Sequence, residues 1–302
     1  MASIMDQWVG MLSEARLPVL ARTAAELDIL RSDEERVTPK RIAEVVLHDP
    51  IMTVQVLQYL QKNRSQRRSA DITTIAHALM MLGVAPFFTH FSTHDSIEAR
   101  LAGDDAARQG VLGVISRARH AAQYAYDWAR VRHDVDPEEI MVAALLHDMA
   151  EILVWCYAPS LALEIGERLR RDRTLRSVNV QHDVLGFRLI DLQLELVKAW
   201  QLPDLLRALM NEKATRSPRV FTVAVAASLA RHAARGWDNL ALPDDYIVIA
   251  DLLGLTPEEA AARVANVALQ AGTEWEWYGV EPPPPPMPSA ESASSPAPAA
   301  AE

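Results

Sequence analysis

Cysteine occurs once in the 302 residues, at Cys156, which excludes an intramolecular disulfide and suits a reducing compartment. A lone cysteine of this kind reads as a buried small hydrophobe. Glycine is sparse too, at 11 positions, and the apolar half of the chain is dominated by Ala and Leu. That balance favours helices, whose interiors Ala and Leu occupy at least cost. Basic charge is in deficit: the net charge is −10, against nonspecific nucleic-acid binding by the surface as a whole. No apolar run approaches about 20 residues, so no membrane-spanning helix is expected. The opening "MASIMDQWVGMLSEARLP" has no cationic start followed by an apolar block, so no signal peptide is expected and the location is read as cytoplasmic. Gly-rich phosphate loops, a Gly-x-Ser-x-Gly elbow and repeats of 20 to 50 residues are all missing.

What is present is a succession of helical patterns with clear stops. "DQWVGMLSEARLPVL" reads as a short helix breaking at Leu17-Pro18, and "VLARTAAELDIL" as a second. Thr38 before Pro39 is a favoured N-cap arrangement, and that helix must end before Pro50. Gly83 closes "TTIAHALMMLG". A long helix is expected over roughly residues 110–131. Asp136, Pro137 and the Glu138-Glu139 pair open another that runs through "VAALLHDMAEILVW", residues 142–155, and Thr256-Pro257-Glu258-Glu259 opens one near the C-terminus. No strand is expected. From residue 281, "EPPPPPMPSAESASSPAPAAAE" has too little apolar content to bury a core and reads as a disordered tail.

Five segments in order carry a family resemblance. They are "LPVLARTAAELDIL", "RIAEVVLHDPIMTVQVLQYLQKN", "ITTIAHALMMLG", "AALLHDMAEILVW" and "QHDVLGFRLIDLQLELVKAWQLPDLLRALM". Together they resemble the HDOD (HD-related output domain) family of bacterial signalling proteins, over roughly residues 14–235. The resemblance implies an all-α architecture, an N-terminal helical bundle packed on an HD-phosphohydrolase-like helical core. The division that follows is residues 1–13 as an N-terminal helix, 14–235 as the HDOD domain, 236–280 as a helical extension and 281–302 as the tail.

The resemblance also places the candidate site. HD-type phosphohydrolases hold a divalent ion with a His from an earlier helix, the His-Asp doublet and a later Asp; here the doublet is His147-Asp148. Adjacent helical residues point about 100° apart, so the pair needs ligands from other helices, and a hydrolytic metal also needs an open position for water. The earlier His position falls near Arg117, which cannot ligate a metal and repels one. His120, one turn along, is a weaker candidate. Ala150-Glu151 and Met210-Asn211-Glu212 replace runs that cyclic-dinucleotide enzymes carry as Gly-Lys and His-His-Glu. Only His182 sits where a later ligand is expected. The reading is a remnant site of Arg117, His147, Asp148 and His182, with an Arg117–Asp148 ion pair in place of metal and no cofactor. If a metal binds at all, its ligands are His147, Asp148 and His182.

The function implied is a noncatalytic signal-transduction module acting through protein contacts, with partners of the two-component or cyclic-di-GMP class. The alternative is a divergent metal-dependent HD phosphohydrolase acting on a nucleotide or cyclic nucleotide. A third reading is a nucleotide or RNA binder using Arg117 and the basic loop "KNRSQRRS" (Lys62, Arg64, Arg67, Arg68), which otherwise is a solvated turn. Trp275 and Trp277 are expected to dock the C-terminal segment onto the domain.

Overall fold

A computed structural model describes residues 3–63, 72–92, 94–172, 174–211 and 217–285. Among them are eighteen α-helices, a 3-10 turn at Glu34–Arg36 and no strand, apart from an isolated bridge between Val19 and Ser96. The chain opens with α1 (Ile4–Glu14), and the N-terminal bundle comprises α2 (Ala21–Ser32), α3 (Pro39–Val46), α4 (Pro50–Lys62), α5 (Ile75–Leu82), α6 (Val84–His90) and α7 (Ile97–Arg100). Next come α8 (Asp105–Val131), α9 (Pro137–Leu145), α10 (Met149–Tyr157), α11 (Pro159–Arg171), α12 (Ser177–Leu185), α13 (Leu189–Ala199), α14 (Asp204–Leu209) and α15 (Pro218–Ala233). The chain ends in α16 (Leu242–Leu253), α17 (Pro257–Gly272) and α18 (Trp275–Tyr278).

Local chemistry explains most boundaries. Thr38, Thr74, Asp104, Asp136 and Thr256 each accept a bond from a first-turn N–H with the side chain, and Pro occupies the first turn of α3, α9 and α17. Gly83 ends α5 at φ 86°, a conformation that suits a residue without Cβ. Asp49 does more than cap: its carboxylate accepts from Ile51 N (2.8 Å) and Met52 N (3.1 Å) and reaches back to Leu20 N (2.7 Å). Fully buried, it ties the start of α4 to the chain just before α2.

The 27-residue α8 is the axis on which the rest is built. It packs against α9, α10, α11, α15, α17 and α18, and buries Tyr124 and Trp128. Gly110 on α8 is where the Trp155 ring of α10 lies; a Cβ there would collide with it. The terminal helices share the same core. Leu12 of α1 is wholly buried, with Trp8 edge-on to Phe187, and Ile249, Val264 and Tyr278 from the C-terminal helices belong to the one large apolar cluster.

The tail region differs from the compositional reading at its first residues. Residues 281–285 lie against the fold, and Trp237 Nε1 donates to the Pro283 carbonyl at 3.0 Å. The expected disorder beyond them concerns residues outside those described. Segment Pro137–Tyr157 is long and apolar enough by composition to cross a membrane, contrary to the sequence expectation, but 78% of its most apolar window is buried inside the bundle.

Candidate functional site

The stretch 142–155 is not one helix. α9 stops at Leu145, residues 146–148 form a turn, and α10 begins at Met149. His147 and Asp148 therefore stand at a break between two helices, not mid-helix as the apolar periodicity suggests. The break is held from outside by Gln193 of α13, 1% exposed, whose Nε2 donates to Leu146 O (2.7 Å) while its Oε1 accepts from Ala150 N (2.8 Å). One amide thus bonds the backbone on both sides of the break, joining the Met149 N–H (3.2 Å) on the Leu146 carbonyl and giving the Ala150 N–H, in the first turn of α10, an acceptor.

Asp148 is the centre of a charged cluster. Its side chain is 10% exposed, and Arg117 of α8 donates to Oδ2 from both Nε (3.1 Å) and Nη2 (2.6 Å). The same Nη2 donates to Glu151 Oε2 at 2.7 Å. Oδ1 accepts from His147 Nδ1 at 3.1 Å and from Arg231 Nη2 of α15 at 3.3 Å. Burial alone would raise this carboxyl; Arg117 and then Arg231 outweigh it and hold Asp148 well below the usual carboxylate range. Arg117, 12% exposed, is likewise pushed up despite burial by Glu151 and Asp148. The cluster pairs two arginines with two carboxylates around a buried histidine.

Such a donor set does not fit a divalent ion. Both oxygens of Asp148 face cationic donors, and a guanidinium stands beside the pair where a further ligand would have to enter. Among the described residues no three His, Cys, Asp or Glu side chains converge as a metal site. His182 is not brought to the pair: it lies exposed on α12, which packs on α11 and turns Val180 and Leu185 inward instead. His120 also points elsewhere, its Nδ1 bonded to Ser116 O at 2.9 Å.

Lys62 is exposed at the end of α4; Arg64, Arg67 and Arg68, like Glu212, lie outside the described residues. Cys156 is 4% exposed, and burial pushes its thiol up to about 12, so it is an inert core residue. Trp277 stacks on His48 with centroids 4.1 Å apart, and Arg119 grips Glu274 through two bonds of 2.9 and 3.1 Å, which docks α18 on α8 and on the loop before α4. Trp275, 41% exposed, does not join that contact.

Sequence reasoning missed Arg231 and Gln193, whose roles arise only where α15 and α13 meet the break. Glu151 was legible as a departure, and its spacing of three from Asp148 puts both on the side that Arg117 approaches.

A family model described as HDOD domain matches residues 17–215. Among solved structures, the MmoQ response regulator of Methylococcus capsulatus str. Bath is similar at TM-score 0.62 and 20% identity, covering 83% of this chain and 98% of that one. A virulence factor of Campylobacter jejuni aligns at TM-score 0.63 and 16% identity, covering 89% and 97%. An HDOD domain protein of Geobacter sulfurreducens aligns at 0.50 and 15%, covering 91% and 97%. No curated protein matches the chain.

Proposed function

The chain belongs to the HDOD family, and from that premise we propose that it is a noncatalytic signal-transduction module whose output passes through protein contacts. The observation that carries this reading is the Arg117 guanidinium bonded to both Asp148 and Glu151. In a hydrolytic HD site the doublet's carboxylate is a metal ligand with a lone pair to give. Here that carboxylate is committed to two arginines and a histidine, so the pocket is neutralised by protein charge instead of by a metal. The cluster then works as a structural clamp that fixes α8, the α9–α10 break and α15 in one arrangement.

Two findings support a signalling context. The match covers residues 17–215, and one structural neighbour is named as a response regulator. Partners of the two-component or cyclic-di-GMP class fit that context.

The test is metal analysis of the purified protein after incubation with Mn, Fe or Mg and desalting, alongside hydrolysis of bis(p-nitrophenyl) phosphate and cyclic di-GMP. The reading expects no stoichiometric metal and no hydrolysis above the level of Asp148→Asn. Metal held near one per chain and lost in Asp148→Asn, with turnover lost in parallel, would establish the divergent phosphohydrolase instead.

A further inference from the structure

Beside Arg117 the helices α8, α15 and α17 line a half-open cavity of about 360 Å³. Its wall is mostly small and apolar, with Ala230, Ala268 and Gly113 contributed by the three helices, and Trp237 and Trp275 at its edges. The remaining wall is the chain's own segment 280–285. Pro283 is anchored there by its bond from Trp237, and the Pro282 ring packs beside Gly272.

One face of α8 carries the polar groups. Gly113, His120 and Tyr124 recur at spacings of seven and four, which stacks them along the same side of the helix. Tyr124, 1% exposed, lines the cavity and brings a phenol hydroxyl to this part of the core. A ligand group that bonds this hydroxyl gains a hydrogen bond in a mostly apolar setting. His120 supplies the complementary group. Its Nδ1 faces the Ser116 carbonyl, which only accepts, so Nδ1 carries the proton. Burial lowers the ring's basicity, which keeps it neutral near pH 7 and leaves Nε2 as an acceptor. Arg117 also borders the cavity, but Asp148 and Glu151 already neutralise it, so no uncommitted cation awaits an anion.

We propose that this cavity is a binding site for a small, uncharged, mainly apolar molecule carrying one hydroxyl or an equivalent donor–acceptor group. The apolar body fills the space between α15, α17 and the proline segment. The hydroxyl donates to His120 Nε2 and accepts from the Tyr124 hydroxyl. The volume falls within the range of roughly 300–1,000 Å³ typical of small-molecule sites, which combine apolar walls with a few polar groups in this way. The proposal does not depend on whether the charged cluster is catalytic.

The test is titration of the full chain with 2-naphthol, followed by calorimetry and by naphthol fluorescence, with naphthalene and 2-naphthoate as matched probes. Saturable 1:1 binding of 2-naphthol is expected, tighter than that of 2-naphthoate. Gly113→Leu projects a side chain into space where a Cβ meets nothing within 4 Å, and it improves helix propensity, so the fold is retained. It is expected to weaken naphthol binding by about 10-fold or more through loss of the space the ligand fills. Tyr124→Phe removes only the hydroxyl and is expected to weaken 2-naphthol about 5-fold while leaving naphthalene unchanged. This second variant decides the matter if Gly113→Leu fails to fold. No saturable naphthol binding up to about 1 mM would overturn the proposal. So would binding indifferent to both substitutions, or a preference for 2-naphthoate.

Discussion

Replacing Arg117 by Met removes the cation from between Asp148 and Glu151 while keeping a long apolar stem to fill the space. In the native protein the guanidinium nitrogen lies 2.6 Å from one carboxylate and 2.7 Å from the other. At an effective dielectric near 20, each such attraction is on the order of 4 kcal/mol before desolvation is charged against it. Without Arg117, two carboxylates face each other in a mostly buried setting, with Arg231 and His147 as the remaining partners of Asp148. Removing one member of a buried pair costs about 3–5 kcal/mol, because the other charge is left uncompensated. Arg117→Met is therefore expected to lose about that much in urea unfolding at pH 7, a Tm fall of roughly 6–10 °C for a chain of this size. Adding Asp148→Asn and Glu151→Gln removes the stranded charges, and the triple variant should recover most of the loss. The pH dependence follows from the depressed Asp148 carboxyl. The stabilisation is present above the unfolded value of 3.8 and is lost as pH falls towards the lower folded value, so wild type and Arg117→Met should converge in acid. An Arg117→Met protein within about 1 kcal/mol of wild type, or a triple variant no more stable than the single, would refute the clamp.

Three further outcomes are expected. Burial raises Asp49 to about 6 against the pull of three backbone N–H groups. The folded state then holds an extra proton between about pH 4 and 6, so stability should fall by up to roughly 3 kcal/mol as pH rises through that window, a slope that Asp49→Asn abolishes; unfolding free energies at pH 4 and 7 check this. Glu274 is held down to about 2, chiefly by His48 and Arg119 once burial is overcome. Glu274→Gln should cost about 1–2 kcal/mol at pH 7 and progressively less as pH falls from 4.5 towards 2, read from tryptophan fluorescence of the docked Trp277. Gly110→Ala should destabilise by about 1–3 kcal/mol in thermal unfolding despite its better helix propensity, because the added methyl meets the Trp155 ring; Gly166→Ala, mid-helix with open space around it, is the control and should be neutral or stabilising.

Helix starts were legible wherever the deciding atoms lie within four residues. Thr38 before Pro39, Asp136 before Pro137 and Thr256 before Pro257 supply both a side-chain acceptor and a preset φ, so composition alone settles them. The all-α class was legible for the same reason, and the ordered family segments marked His147-Asp148 as the pair around which the candidate site lies. The pairing of Arg117 with Asp148 was inferred from substitution of one expected ligand by a cation, and the fold brings the two into contact.

What the sequence concealed was decided across long separations. Apolar periodicity runs unbroken through residues 142–155, and nothing local marks the turn at 146–148. Gln193, more than 40 residues away, braces the turn by bonding Leu146 O on one side and Ala150 N on the other. Arg231 joins the cluster only because α15 packs along α8, and His182 stays outside because α12 buries its other face. The proline segment has too little apolar content to form a core of its own, and its first residues are placed by the indole N–H of Trp237 and by the packing of Pro282 beside Gly272. Capping and turn chemistry act through bonds between neighbours in the chain and can be read there. Charge compensation, a helix break and a cavity wall depend on which distant groups folding brings within hydrogen-bond reach, and only the tertiary structure decides that.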